Sequence, residues 1–195
     1  MHETSKSVLR RLGDTRWATR YLRGEGIDIG GGDDGLAYYQ ELFPLVTSIR
    51  NWDRADGDAQ LMQTVSDETY DFVHSSHCLE HVADPYEAFS NWIRITKPGG
   101  HIITTIPDED LYEQGHWPSV MCPNEHQTSW TILKPSSWCW ASHNVIEFLY
   151  QYREFVEILK IELIDHCYIN SRMGEDQTLR PVTESAIEFV VRKRT

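Results

Sequence analysis

The chain has 195 residues, 18 of them basic and 30 acidic, for a formal charge of -12. That length suits one domain with a sizeable core, and the surplus of carboxylates repels nucleic acid and anionic lipid, so neither is expected as a partner. The opening MHETSKSVLRRLGD lacks the apolar core of a signal peptide and no later run approaches the ~20 apolar residues of a membrane span, which predicts a cytoplasmic protein without a membrane partner. Cys78, Cys122, Cys139 and Cys167 are scattered with no C-x-x-C pair, so reduced thiols are expected, not a disulfide framework or a thiolate zinc site.

In chain order, Val8, Leu9, Leu12, Trp17 and Tyr21 give a loose helical spacing over residues 6–23, interrupted at Gly13. GIDIGGGDDG then places a short strand, with Ile27 and Ile29 on one face, directly before a glycine cluster. LAYYQELFPLV reads as a helix from near Gly35 to a break at Pro44, and VTSIRNWD as a second strand. GDAQLM reads as a third short strand edge or a loop, and YDFVHSS as a fourth strand. Tyr86, Phe89, Trp92 and Ile93 space a helix over 85–95 that KPGG ends, and HIITTIP is a fifth strand. Strands alternating with helices at this spacing mean a doubly wound, mostly parallel α/β sheet. After an irregular aromatic stretch over 112–140, a helix is expected over 143–155. EILKIELIDHCY and SAIEFVVRKR follow as two alternating runs without room for a crossover helix, so they are expected to pair antiparallel at one edge.

Gly30-x-Gly32-x-x-Gly35 satisfies the dinucleotide fingerprint, with Asp53 about where a ribose-binding acid belongs. Asp33 and Asp34, however, stand where a pyrophosphate needs bare backbone N–H groups, and two carboxylates there repel it. A cofactor with an amino acid and a cationic sulfonium in place of the pyrophosphate, S-adenosylmethionine, tolerates an acidic loop. A plainer use for Asp33 or Asp34 is to cap the following helix.

GIDIGGG, the acid in NWD, then GDA, YDFVHSSHCLEHVADPYEAF and IRITKPGGHIITTIP, in that order over roughly residues 20–110, resemble a class I S-adenosylmethionine-dependent methyltransferase of the small type often called methyltransferase type 11. The resemblance implies a Rossmann-like, seven-stranded sheet whose last two strands form an antiparallel hairpin. It divides a single domain, 1–195, into a leading helix (1–23), a cofactor-binding half (24–110), an acceptor or lid stretch (111–142) and a C-terminal helix and hairpin (143–195). Carried over by position, it implies that Asp28 and the backbone of Gly30 and Gly32 face the methionine part of S-adenosylmethionine. Asp53 accepts from the ribose hydroxyls, Asp58 and the Ala59 backbone hold the adenine amino edge, and Ser75 lies along the cofactor. The chain departs from the family's G-x-G-x-G loop at Asp34, which occupies the third glycine position.

His77-Cys78-Leu79-Glu80-His81 has the H-x-x-E-H order of a class of zinc peptidases. That chemistry needs both histidines on one helix, and Asp84-Pro85 interrupts within a turn of the motif, so no metal is assigned. As the loop after a strand that borders a ligand crevice, the segment instead offers His77 and His81 as catalytic candidates beside the methyl-transfer site, with Leu79 and Val82 turned to the core. Removing the proton of a hydroxyl acceptor calls for a base in the imidazole range. A structural, hydrogen-bonded histidine is the plainer reading of each. His126, between Asn124-Glu125 and Gln127, is the further candidate base. Asp108, Glu109 and Asp110 have the chemistry of a Mg²⁺ site and read as loop surface. His116, Trp117 and Trp130 suit a sugar or planar metabolite, a lid, or a homodimer contact. The PDEDLYE and N-x-H pattern is similar to methyltransferases associated with surface-polysaccharide and glycosyltransferase functions. The expectation is methyl transfer to a small-molecule acceptor, an oxygen of a sugar or glycosyl-like metabolite. N- or C-methylation, or a noncatalytic cofactor-binding subunit, are the alternatives.

Overall fold

The computed structural model describes residues 2–195, and alternation along its strands sets two buried faces. The strands are β1 (Gly24–Ile29), β2 (Val46–Trp52), β3 (Tyr70–Ser76), β4 (Thr96–Pro107), β5 (Ser129–Thr131), β6 (Ser142–Asn144), β7 (Val156–Ile164) and β8 (Ala186–Lys193). Six of them form one sheet in the order β2-β1-β3-β4-β8-β7. The first four pair in parallel, and β8 runs antiparallel to both β4 and β7, as the alternation of the two C-terminal runs predicted.

The expected seventh strand is absent among the described residues, so β2 is an edge. The chemistry of GDAQLM explains this: Asp58 Oδ1 accepts from the amides of Gln60 and Leu61, at 2.7 and 3.2 Å, and Met62 N–H returns to the Asp58 carbonyl. These bonds close a turn and take amides that a strand would direct sideways.

Ile27, Ile29, Val73, Ile102 and Ile187 face one layer, built from α2 (Pro85–Ile95) and α3 (Val145–Tyr150). Phe72, Ile103 and Val190 face the other, against α1 (Glu3–Arg11) and a π-helical turn over Trp17–Tyr21. α2 starts as its sequence demands: the Asp84 carboxylate accepts from the amides of Tyr86 and Glu87, and Pro85 occupies the first turn. The leading segment does break near Gly13. Three expectations change: LAYYQEL is a 3-10 turn (Leu36–Leu42), α3 ends five residues early in i→i+3 turns, and the stretch read as irregular contains the small parallel pair β5–β6. Seven residues ending before Pro44 are too few to repay helix nucleation.

A buried ion cluster fixes α1 to the sheet. Glu188, on β8, accepts from Arg10, Arg11 and Lys160, and Arg11 donates on to His74 Nε2 at 3.0 Å. Burial alone would raise the Glu188 pKa, but Arg11 and Arg10 hold it far below the carboxylate range. Because His74 Nε2 accepts, its Nδ1 carries the proton, which it donates to Asp28 at 2.6 Å.

His101, at the start of the buried part of β4, has no partner for Nε2 and rests against Tyr21. Burial, helped by Arg23, Arg192 and Arg20, pushes its pKa down to about 4. The unfolded chain takes up a proton there at ~6.5 while the folded chain does not, so this stability is present above pH ~6.5 and lost as pH falls toward 4. His101→Asn is therefore expected to lose less denaturant resistance than the parent between pH 7 and 4.5. Equal losses in both would refute the assignment.

Candidate active site

The strand order reverses at β1 and β3: the chain passes from β1 to β2 on one side and from β3 to β4 on the other. Loops at the carboxyl ends of such strands diverge, and ligands of open α/β sheets bind in the crevice between them. Here that crevice is a cleft of about 650 Å³ whose walls include Gly30, Asp53, Asp58, Ala59, His77 and His81. A second cleft of about 270 Å³, beside residues 2–4, is bordered by the glycine loop, Ser76 and His77. Gly30 and His77 belong to both.

The glycine loop is shaped from below. Asp28 is fully buried, with one oxygen on His74 and the other accepting the Leu36 amide at 2.5 Å. It supports the loop and does not line either cleft, contrary to the expectation that it faces the ligand. At Gly31 an added Cβ would lie 2.3 Å from Asn51 Oδ1 and 2.6 Å from Asp28 Oδ2, so only glycine passes over these side chains. Gly32, at a φ of +50°, has nothing within 4 Å of where a Cβ would be, which leaves its backbone open to a ligand. Asp34, the departure from the family loop, does not cap the following 3-10 turn. Its carboxylate accepts from the Ser5 amide, the Ser5 hydroxyl and the Tyr39 hydroxyl, so it ties the loop to the first turn of α1.

Asp53 is exposed on the cleft wall, where β2 ends, and one of its oxygens accepts the Arg54 amide. The Ala59 carbonyl is fixed by the Trp92 indole at 2.9 Å. Ser75 is a second correction: its hydroxyl donates to the Ile29 carbonyl inside the sheet, and Ser76 and His77 border the smaller cleft in its place. Strand alternation turns Ser75 inward, and the left-handed backbone of His77 (φ 53°) ends β3 and turns the next side chains into the crevice.

Leu79 and Val82 pack in the core as expected. The loop between His126 and Thr128 is held against the motif by its own backbone, since Gln127 and Thr128 donate to the Glu80 carbonyl at 2.8 and 3.2 Å. That clamp sets the His81 and His126 rings 4.9 Å apart, edge to face. His81 donates from Nδ1 to the Glu125 carbonyl at 3.2 Å, which leaves Nε2 free. His126, buried, donates from Nδ1 to Glu113 at 2.6 Å. Burial opposes charge on His126, but Glu113 and Glu80 outweigh it and raise its pKa. His77 is different: burial, with the His126 and His81 charges adding to it, pushes its pKa down to about 3. Glu80 is fully buried and neither carboxylate oxygen has a hydrogen-bond partner.

Glu80 and Glu113 were not singled out in the sequence as parts of this cluster. Glu80 stood in plain view in the H-x-x-E-H order; for Glu113 nothing but its place among other acids was available. Two other candidates move away. Trp130 is core, its indole on the Thr128 hydroxyl, and His116 is exposed. The acids 108–110 serve the loop: Asp108 accepts two backbone amides, while Glu109 and Asp110 bind Lys134, Ser137, Ser142 and Trp138.

A parallel sheet closed by an antiparallel pair, a glycine loop after β1 and an acid ending β2 define a class I methyltransferase. The chain belongs to the methyltransferase domain family, whose model matches residues 1–145, and the methyl donor of this class is S-adenosylmethionine. Among curated proteins no sequence matches it. A methyltransferase from Archaeoglobus fulgidus described as S-adenosylmethionine dependent has the same fold at a TM-score of 0.64 and 16% identity, over 99% of this chain and 95% of that one. A chain from the complex of the Haloferax volcanii Trm112 methyltransferase activator with a methyltransferase gives 0.62 and 15%, over 98% and 96%. The N-methyltransferase NodS of Bradyrhizobium japonicum, solved with S-adenosylhomocysteine, gives 0.54 and 13%, over 99% and 87%. At such identities the likeness is one of fold. No helix among the described residues is long and apolar enough to cross a membrane.

Proposed function

We propose that the chain moves a methyl group from S-adenosylmethionine to a hydroxyl oxygen of a small polar acceptor, a sugar or glycosyl-like metabolite. The observation that carries this reading is the histidine cluster at the cleft: His81 presents a free Nε2 on the wall, backed by the His126–Glu113 pair. Bound in the cleft, the donor supplies a sulfonium methyl open to in-line attack. The backbone of Gly30 and Gly32 receives its amino-acid end beside the acidic loop. Asp53 accepts from the ribose hydroxyls, and Asp58 with the Ala59 backbone meets the adenine edge. Asp28 and Ser75 act from beneath, by holding the loop and β1 in place. His81 Nε2 takes the hydroxyl proton as oxygen attacks the methyl carbon, and the carbon–sulfur electron pair stays with sulfur. Such base assistance is typically worth ~10²- to 10⁴-fold. His77, with its depressed pKa, is a weak base at neutral pH and borders the reacting groups instead.

Titration calorimetry with S-adenosylhomocysteine, and with NAD in a parallel cell, is expected to show saturable binding of the first only. Binding of NAD would sink the reading. With sugar hydroxyls and amines offered as acceptors, His81→Ala is expected to lower turnover on the hydroxyl ~10²-fold or more with donor affinity unchanged. Exclusive turnover of amines would favour N-methylation. A second reading, a cofactor-binding subunit of a complex, draws on Trp138 and Trp140, which are 41% and 85% exposed, and on the activator bound to one fold neighbour. It predicts donor binding without turnover of any acceptor until a partner is added.

A further inference from the structure

Glu80 is a buried carboxyl group with neither oxygen hydrogen-bonded. A carboxylate with no solvent and no hydrogen bond on either oxygen is strongly unfavourable unless something positive faces it. What faces it is imidazole: His81 Nε2 lies 3.7 Å from Glu80 Oε1, and one donor atom from each of Glu80, His81 and His126 falls within 4.8 Å of the others. Both imidazoles are also oriented from behind. His81 Nδ1 is tied to the Glu125 carbonyl and His126 Nδ1 to the Glu113 carboxylate, so each ring keeps Nε2 for something else. A carboxylate or carbonyl on the remote nitrogen is the usual support of a metal-bound histidine.

We propose that Glu80, His81 and His126 bind one divalent transition-metal ion at the wall of the cleft, with Glu113 as the residue that positions His126. Two imidazoles and a carboxylate suit a borderline ion such as Zn²⁺ over Mg²⁺, which prefers oxygen alone. The three atoms, within 4.8 Å of one another, need only side-chain adjustment to reach the spacing of ligands at ~2.0 to 2.2 Å around a tetrahedral Zn²⁺, which leaves one position for an outside ligand. The metal order of HCLEH is thus met in another way than in a peptidase. His77 is not among the residues whose donor atoms converge, and His126 arrives in its place from the clamped loop.

Its use in catalysis rests on the methyl-transfer reading; its existence does not. An acceptor hydroxyl held in the open position would be acidified by the ion. With the ion bound, His81 Nε2 is occupied as a ligand and the ion takes over its part as base: the O–H bond would break with the proton passing to solvent, the O–C bond would form, the C–S bond would break and its electron pair would remain on sulfur.

The test is calorimetric titration of the chelator-treated, full-length protein with Zn²⁺, together with the visible absorption spectrum of added Co²⁺ and a parallel titration with S-adenosylhomocysteine. One Zn²⁺ per chain is expected, with Co²⁺ bands showing nitrogen ligation. Affinity should fall 10²-fold or more in His126→Ala and in Glu80→Gln, and ~10- to 100-fold in Glu113→Gln. His81→Ala, at a partly exposed position, guards against loss through misfolding and should lose the ion while keeping its circular dichroism. No Zn²⁺ binding, or binding unchanged in these variants, overturns the metal site. If S-adenosylhomocysteine still binds in that case, the methyltransferase reading stands; ion binding without S-adenosylhomocysteine binding has the opposite meaning.

Discussion

Replacing Glu188 by alanine is expected to lower the thermal midpoint by roughly 10 °C. Arg11 is fully buried and Arg10 partly so, and Glu188 is the acid that both share with Lys160. Removing one member of a buried ion cluster leaves the others as uncompensated charge, which typically costs ~3 to 5 kcal/mol. For a domain of this size each kcal/mol shifts the midpoint by ~2 to 4 °C. Arg11→Met with Glu188→Leu removes the central pair together and should recover most of the loss, because an apolar pair of similar volume needs no compensation. A Glu188→Ala midpoint within 2 °C of the parent, by circular dichroism melting, would show that the cluster contributes little. The loss should also reach the ligand site, since Arg11 carries His74, and His74 carries the Asp28 that supports the glycine loop.

Asp53→Ala should weaken S-adenosylhomocysteine binding ~10²-fold or more. Its carboxylate stands exposed at the end of β2, and two hydrogen bonds from ribose hydroxyls to a charged acceptor are worth ~1.5 kcal/mol or more each. Asp53→Asn keeps one acceptor oxygen and should lose less. Because Asp53 is on the surface and makes only short-range contacts with Arg54 and Asp56, the melting temperature should hardly move. Unchanged affinity in Asp53→Ala would place the ribose elsewhere and remove the main support for the proposed orientation of the donor.

Much of the fold was legible because its signals are local. Ile27 and Ile29 ahead of a glycine run, Asp84-Pro85 ahead of a helical spacing, and two alternating runs too close for a crossover each specify their element within a few residues. Where a local signal had two meanings, the reading slipped. Asp58 in GDAQLM closes a turn with its side chain where a seventh strand was expected, and an alternating strand end placed Ser75 one residue out of phase with the cleft. The cofactor half of the candidate site could be read because Gly30, Gly32 and Asp53 lie at the ends of such elements. The histidine cluster could not, since His81 and the loop that meets it are more than forty residues apart, and the hydrogen bonds that join them, to the Glu80 and Glu125 carbonyls, leave no local signal. Trp130 shows the same limit from the other side: an indole among polar residues looks like surface until β5 and β6 bury it.

His77 and Gly30 form a partition common to two chambers, and this restricts how the enzyme can be adapted. A laboratory search for variants with new acceptors would naturally begin at His77, which borders both chambers. Any residue enlarged or trimmed there reshapes the neighbouring chamber as well, so selectivity and donor retention would trade against each other. Gln60 and Ala83, which border only the larger chamber, offer positions where diversity can be introduced without that penalty.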